Sequence, residues 1–276
     1  MMKKHLYQDK NYLRDSQYKD SSNLDARATL HQLYSTTKIG WFDWVIEQVA
    51  LTDGMRVLEV GGGPGWLWRN TLPQLPASCE ILVTDFSPGM VDEARAALAH
   101  DTRFRFDVVN IEDIPLEDDL FDVVIGNHML YHVPNLAKGL QEVRRVLKPN
   151  GRFLAATNGD NHMRELGEIN KTLFSEIYAR ILQLYGGGRP RLSFALENGR
   201  SLLEPWFATV EKRLFDDSLV VTEAEPLINY LLSSQPAQEI ATEEMIAEAR
   251  RQLEAQIVKN GAIHIQKETG IFIAKP

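Results

Sequence analysis

A glycine turn next to an acidic residue carries the clearest chemical signal in this sequence. Residues 57–65 read Val-Leu-Glu-Val-Gly-Gly-Gly-Pro-Gly, so Glu59 stands just before Gly61, Gly63 and Gly65. Glycines let backbone approach a ligand where any Cβ would clash. A carboxylate at this point repels a pyrophosphate and attracts a cationic, amine-bearing ligand. The turn therefore predicts a site for a ligand with a positively charged group.

The spacing of the turn excludes two common phosphate-binding loops. The dinucleotide fingerprint requires a glycine where Trp66 stands, and no Gly-Lys-Ser/Thr of a P-loop is present. A second carboxylate, Asp85, follows about 20 residues later, where an acid typically accepts hydrogen bonds from ribose hydroxyls. A bare turn and a solvated strand end are the alternatives. The two motifs at this spacing favour a nucleoside-type ligand instead.

Three histidines are candidates for moving a proton. His128 and His132 follow the predicted fourth strand, and His162 follows the fifth. Histidine is a frequent general base near neutral pH. His128 and His132 are four residues apart, so we expect them to share a helical face. Such a pair can also bind a metal, but His-Met-Leu-Tyr-His lacks the Glu of the zinc protease motif, and we predict no metal. A structural role is the alternative for each histidine.

Strands and helices alternate around these residues. Five alternations predict an α/β fold with a doubly wound, mostly parallel sheet. Ligands of such sheets bind beyond the carboxyl ends of the strands, where every residue named so far lies. The predicted strands are residues 56–60, 81–85, 104–109, 121–126 and 152–157.

The motifs in this order resemble the class I S-adenosylmethionine (SAM) dependent methyltransferases, over residues 56–157. The segments Asp-Phe-Ser-Pro-Gly-Met at 85–90 and Leu-Lys-Pro-Asn-Gly at 147–151 are similar to the small-molecule methyltransferase branch. The resemblance implies a Rossmann-like, seven-stranded sheet with an antiparallel C-terminal strand. It also implies SAM as cofactor and S-adenosylhomocysteine (SAH) as product.

The resemblance further implies which residues hold the cofactor. The acid and glycines of the turn would surround the methionine portion, and residues after the second, third and fourth strands would contact ribose, adenine and sulfonium. Asn110 stands where many relatives have Asp, and its carbonyl oxygen can still accept from the adenine amino group. Tyr18, Arg27 and Trp41 could reach the pocket from N-terminal helices, or simply pack. The implied set is Glu59, Gly61, Gly63, Gly65, Asp85, Phe86, Met90, Asn110, Ile111, Glu112, Asn127 and Tyr18.

We divide the chain into four parts by pattern and resemblance. Residues 1–50 are predicted to form a helical lid, and residues 51–160 the SAM-binding core. Residues 161–205 would be a helical, substrate-covering insertion, broken by a flexible loop at Gly186–Pro190. Residues 206–276 would complete the sheet with a sixth strand, helices at 223–233 and 238–258, and a hairpin over 262–274 that supplies the antiparallel strand.

Charge and composition bear on the partners. The net charge is −8 and no long Lys/Arg run occurs, which argues against a nucleic-acid substrate. No window reaches the apolar length of a membrane span, and the single cysteine cannot form an internal disulfide. We therefore expect a cytoplasmic protein, with a homodimer left open.

The predicted function is methyl transfer from SAM to an O, N or C atom of a small-molecule acceptor. Alignment of the acceptor would do most of the work, and a base is needed only if the acceptor must lose a proton. Two alternatives stay open at this point. One is a methyltransferase acting on RNA or protein, and the other is a non-catalytic SAM-binding regulatory protein.

Overall fold

A seven-stranded sheet forms the centre of the molecule, in a computed structural model that describes residues 8–184 and 191–276. The strand order is β3-β2-β1-β4-β5-β9-β6, and only β9 runs antiparallel to its neighbours. The predicted loop at Gly186–Pro190 lies outside the described residues. The strands are β1 Arg56–Val60, β2 Glu80–Asp85, β3 Phe104–Val108, β4 Phe121–Asn127, β5 Leu147–Asn158, β6 Thr209–Phe215, β7 Ser218–Val221, β8 Ile263–Gln266 and β9 Thr269–Lys275.

Helices cover both faces of this sheet and its carboxyl edge. Ser87 begins the helix after β2, since its hydroxyl accepts from the Met90 amide and Pro88 occupies the first turn. The α-helices are α1 Lys10–Tyr12, α2 Ser22–Tyr34, α3 Trp41–Val49, α4 Trp66–Thr71, α5 Pro88–Leu98, α6 Leu136–Val146, α7 Arg164–Leu173, α8 Ser175–Leu184, α9 Gly199–Leu203, α10 Ala224–Leu231, α11 Gln235–Ile240 and α12 Glu243–Asn260.

Three apolar clusters hold these layers together. Alternate residues of β1 enter different clusters, with Val57 on one face of the sheet and Leu58 on the other, as a strand buried on both sides requires. The third cluster joins α2, α7, α8, α10 and α12 to a two-stranded sheet of β7 and β8. This third cluster places a second layer near the carboxyl edge of the main sheet.

The fold prediction is confirmed for the central sheet and wrong in three details. The predicted hairpin does not form, because β8 pairs with β7 while β9 inserts between β5 and β6. Gly270 belongs to β9, where a Cβ would come within 2.3 Å of the Arg213 carbonyl oxygen. The predicted helix at 238–258 is two helices, because Thr242 caps α12 by accepting from the Met245 amide. Strand β7 was not predicted.

Candidate functional site

The glycine turn after β1 combines a ligand-facing residue with a packing residue. Gly63 has φ +55°, and a Cβ built there would meet nothing within 4 Å, so its backbone faces open space. Gly65 has φ +76°, and a Cβ there would lie 2.9 Å from the side chain of Leu98 on α5. Left-handed backbone favours glycine at both positions. Gly63 therefore leaves room for a ligand, whereas Gly65 lets α4 approach α5.

A cavity of about 800 Å³ lies beyond the carboxyl ends of β1, β2 and β4. A volume of this size is typical of small-molecule sites. Gly65 and Glu112 are not among its lining residues, and their predicted roles stay predictions. The predicted cofactor residues that do line it are Glu59, Gly61, Gly63, Asp85, Phe86, Met90, Asn110, Ile111, Asn127 and Tyr18.

Glu112 fastens the N-terminal segment instead of facing the cavity. Its carboxylate forms an ion pair with Lys10 and accepts from the Asn135 amide at 2.7 Å. Burial opposes the charge, but Lys10 and the amide lower the pKa of Glu112 on balance. The Lys10 ammonium also lies 5.5 Å from the centre of the Phe86 ring. Glu112 thus holds α1 beside the expected adenine pocket.

Asp85 is held rigidly at the end of β2. Its carboxylate accepts from the Gly63 amide at 2.9 Å and from the Ser87 amide at 2.8 Å. Burial raises the pKa of Asp85, and these amides oppose that rise. The glycine turn and the predicted ribose acceptor are therefore one hydrogen-bonded unit, which fits the approximately 20-residue spacing seen in the sequence.

Glu59 is buried below the glycine turn, with 1% of its surface exposed. It accepts from the Trp68 indole nitrogen at 2.5 Å. Burial raises the pKa of Glu59 to about 8, and the Asp85 charge adds to that rise. A nearby cation would stabilise the charged form, as a ligand ammonium group can.

The N-terminal segment lies against the start of α5 and reaches the cavity. The Ser87 hydroxyl donates to the Tyr18 carbonyl at 2.9 Å, and the Ser21 amide donates to Glu93 at 3.1 Å. The Tyr18 hydroxyl lies 3.0 Å from His132 Nε2. From α3, the Trp41 indole donates to the Asn127 side-chain oxygen at 3.3 Å. These contacts place Tyr18 against Ser87 and His132, and Trp41 against the predicted cofactor residue Asn127.

His128 and His132 do not share a helical face. His128 has φ +57°, which breaks regular backbone, and a short 3₁₀ turn covers Leu130–His132. The His128 ring packs on Trp41, with 5.0 Å between ring centres, whereas His132 packs on Tyr18. Burial, with a smaller effect of Lys267, lowers the pKa of His128 to about 4. His128 is therefore neutral at pH 7 and its Nδ1 has no hydrogen-bond partner among the described residues.

His162 lines the same cavity from the segment after β5. Its Nδ1 accepts from the Glu268 amide at 3.2 Å, so Nε2 carries the proton in the neutral ring. Burial lowers the pKa of His162 to about 3, and His31, His128 and Lys267 add to that effect. The ring is thereby arranged to donate a hydrogen bond from Nε2.

Among the lining residues that the sequence analysis did not single out are His31 on α2, Asp217 after β6 and Lys267 before β9. Asp217 follows a predicted strand, so the rule that polar residues at strand ends form sites could have found it. His31 and Lys267 carry no local signal, because helix packing and the separation of β8 from β9 bring them to the cavity.

Three features are absent from the part of the chain that the structure describes: a metal-binding cluster, a membrane-spanning helix and titratable side chains in a second cavity. No group of three His, Cys, Asp or Glu side chains in residues 8–184 and 191–276 is arranged to hold a metal ion. No described helix combines the length and apolar character needed to cross a bilayer. A smaller cavity of about 380 Å³ between α2 and α10 is lined by no titratable side chain.

Comparison with known proteins agrees with this geometry. Residues 58–155 match the family described as Methyltransferase domain, Methyltransf_11. The ubiquinone/menaquinone biosynthesis C-methyltransferase of a Geobacter species is 28% identical over 156 residues, 55% of this chain and 65% of that protein. The demethylmenaquinone methyltransferase of Clavibacter sepedonicus is 36% identical over 106 residues, 38% of this chain and 42% of that protein. The match thus spans less than two thirds of either relative.

A solved structure supports the fold over a longer stretch. The phosphoethanolamine N-methyltransferase 2 of Haemonchus contortus, in complex with phosphomonomethylethanolamine and SAH, gives a TM-score of 0.57 at 17% identity. The match covers 98% of this chain and 60% of that one. Residues 58–155 are thus similar to a methyltransferase domain, and the strand order agrees with the fold of a solved methyltransferase.

Proposed function

We propose that this protein is a SAM-dependent methyltransferase that acts on an O, N or C atom of a small-molecule acceptor. The continuous cavity carries this proposal. One end is lined by the glycine turn, Asp85 and Asn110, and the other by His31, His162 and Lys267. We name the first end the cofactor half. The second end, with His128, Asp217, Trp41 and Phe215, is the acceptor half.

The residues of the cofactor half fit SAM. Asp85 offers a carboxylate for ribose hydroxyls, Gly63 leaves space for close backbone approach, and buried Met90 lines the expected adenine pocket. Glu59 would become charged on pairing with the ligand ammonium group, since its buried carboxyl is otherwise protonated. SAM, when bound, supplies a methyl group already activated on a sulfonium. The protein has to orient the acceptor and keep water out.

The candidate bases stay proposals, and their environments favour orientation over proton removal. A general base works best when its pKa lies near the working pH, whereas burial lowers the pKa of His128 to about 4. His162 already uses Nδ1 as an acceptor. His132 is the remaining candidate, and its Nε2 lies at the Tyr18 hydroxyl. We propose that His128 and His162 position the acceptor.

The two rival functions predict different features. A methyltransferase for RNA or protein needs a complementary surface, and the net charge of −8 gives little support for RNA. A non-catalytic SAM-binding protein needs no space for a second ligand. The acceptor half supports an enzyme over this regulatory alternative. The four domain boundaries, the homodimer and the cytoplasmic location stay predictions.

Calorimetric titration of the purified protein with SAH tests the proposed cofactor site. Asp85→Ala removes the ribose acceptor and the anchor of the Gly63 amide, and we expect at least about a hundredfold loss of SAH affinity. Asp92→Ala, on the exposed side of α5, is the matched control and should bind as the wild type does. No SAH binding by the wild-type protein would refute the proposal. Binding would justify a screen of acceptors with labelled SAM.

A further inference from the structure

A buried ion pair lies at the far end of the acceptor half. Lys267, between β8 and β9, pairs with Asp217, between β6 and β7. Their side chains are 7% and 0% exposed. A buried pair is costly to maintain unless further hydrogen bonds satisfy both partners. The hydrogen bonds that Lys267 and Asp217 make within the protein therefore show which of the two has capacity left to bind a ligand.

The negative end of this pair is fully satisfied. Asp217 accepts from the Ser35 hydroxyl at 2.8 Å and from the amides of Thr36, Thr37 and Ser218 at 3.1, 3.2 and 2.8 Å. These four donors add to the Lys267 ammonium. Burial opposes the charge of Asp217, yet Lys267 and the other donors lower its pKa on balance. Asp217 therefore has no need of a ligand.

The positive end is less satisfied. An ammonium group has three N–H donors, and Asp217 is the one oxygen acceptor that Lys267 has among the described residues. Its other neighbour is the Phe215 ring, whose centre lies 5.7 Å from Nζ. Because Lys267 lines the cavity, its remaining donors are available to a ligand there.

The pKa values of the surrounding histidines are also affected more strongly by Lys267 than by Asp217. Burial is the largest cause of the lowered pKa of His31 and of His128. The positive charge of Lys267 is the next largest, and it lowers both pKa values further. Asp217 acts on His31 in the opposite direction and more weakly. The other acids along the cavity, Asp43, Glu59 and Asp85, lie on α3, β1 and β2. The acceptor half thus presents the ammonium group of a buried ion pair beside neutral imidazoles.

Further polar atoms face no partner in this region. Nδ1 of His31 and Nδ1 of His128 are buried without a hydrogen bond among the described residues. Buried polar atoms of this kind are normally satisfied by a ligand or by water. His162 adds a donor, because its hydrogen bond from Glu268 leaves the proton on Nε2. Trp41 and Phe215 supply aromatic surface beside these groups.

We propose that Lys267 is a specificity-determining anion anchor, and that the acceptor half takes a planar acceptor bearing an anionic oxygen, either a carboxylate or an ionised phenol or enol. This inference rests on the proposed function, because the ligand of the acceptor half is a methyl acceptor only if the protein is a methyltransferase. An acceptor bound as its phenolate or enolate has already given its proton to solvent, so no histidine has to remove it. Cationic amines are disfavoured, because Lys267 repels them.

Binding of paired probes to the SAH-loaded protein tests the anchor without any need for turnover. Benzoate and benzamide have similar shapes, but only benzoate is anionic. We expect benzoate to bind at least about tenfold more tightly, which one charge-assisted hydrogen bond can supply. 4-Nitrophenol, whose phenolate absorbs visible light, serves as the second probe. Growth of the phenolate band on binding would favour an ionised phenol, and tight benzoate binding without it would favour a carboxylate.

Three variants separate an anchor from a structural role. Lys267→Met should abolish the benzoate preference, but it leaves Asp217 charged and unpaired and could impair folding. Lys267→Met combined with Asp217→Asn removes both charges. This double variant should fold and bind SAH normally, yet show no preference for benzoate. Lys259→Met, at an exposed position of α12, is the matched control and should keep the preference.

Each outcome bears on one claim. A benzoate preference that persists in the double variant overturns the anchor, as does equal binding of the two probes or absence of benzoate binding to the SAH-loaded wild type. Failure of the wild type to bind SAH in the first place refutes the proposed function instead. Loss of the preference with retained SAH affinity supports Lys267 as the anchor.

Discussion

At the scale of single residues, Glu59 shows how the proposed cofactor site can reduce the stability of the fold. Its carboxyl is almost completely buried, and burial raises its pKa to about 8. The charged form is therefore unfavourable unless a cation pairs with it. The sequence shows that this acid stands beside the glycine turn. It does not reveal the hydrogen bond that Glu59 accepts from the Trp68 indole.

Glu59→Gln should separate stability from binding. The amide keeps an acceptor for Trp68 and removes the cost of a buried acid, which is about 3 kcal/mol at neutral pH if the pKa rises from 4.5 to about 8. We expect a higher melting temperature and at least about tenfold weaker SAH binding. Scanning calorimetry and titration check the two effects. An unchanged SAH affinity would show that Glu59 does not meet the ligand ammonium group.

At the scale of elements, the contact between the N-terminal segment and α5 closes one side of the cofactor half. A Cβ at Gly89 would lie 2.3 Å from the Lys19 carbonyl oxygen, so only glycine allows this approach. The neighbouring bond from the Ser87 hydroxyl to the Tyr18 carbonyl holds the same segment. No pattern in the sequence predicts this pairing, since the two elements are about 70 residues apart.

Gly89→Ala should loosen the N-terminal segment. The added methyl group displaces Lys19, so we expect roughly three- to tenfold weaker SAH binding and faster tryptic cleavage after Lys19. Gly167→Ala is the matched control, because nothing lies within 4 Å of a Cβ there and alanine favours a helix interior. Equal cleavage rates in Gly89→Ala and the wild type would contradict a role for this contact.

At the scale of the whole molecule, buried titratable groups set the dependence of stability on pH. Burial lowers the pKa of His31, His128 and His162 to about 3, 4 and 3, from an ordinary value of 6.5. As pH falls below 6.5, the unfolded chain takes up protons that the folded one refuses, so these residues reduce stability. Glu59, with a raised pKa, reduces stability as pH rises from 4.5 towards about 8. Below pH 6.5, the stability lost through the three histidines exceeds the stability gained through Glu59.

The melting temperature should therefore peak near about pH 7 and fall towards about pH 5. His162→Asn keeps an acceptor for the Glu268 amide but cannot take up a proton. It should reduce the acid slope by up to about 1.4 kcal/mol per pH unit. His100→Asn, at an exposed position, is the matched control for the substitution. A slope unaffected by His162→Asn would show that the burial of this ring does not govern the acid response.

The sequence by itself determined the central sheet, the glycine turn and the acid at the end of β2. These features follow from local rules, since apolar runs, glycines and strand-end acids occur within about 30 residues of one another. It also suggested His128 and His162 as cavity residues, although not their neutral, buried state.

The tertiary structure alone decided the acceptor half. His31, Asp217 and Lys267 come from three distant parts of the chain and meet because β8 leaves the predicted hairpin to pair with β7. Local patterns predict that a segment is a strand but not which partner it takes, because pairing depends on long-range packing. Removal of Gly65 and Glu112 from the cavity has the same cause. Both residues contact elements distant in sequence. Gly65 lies against Leu98 of α5, and the Glu112 carboxylate forms an ion pair with Lys10.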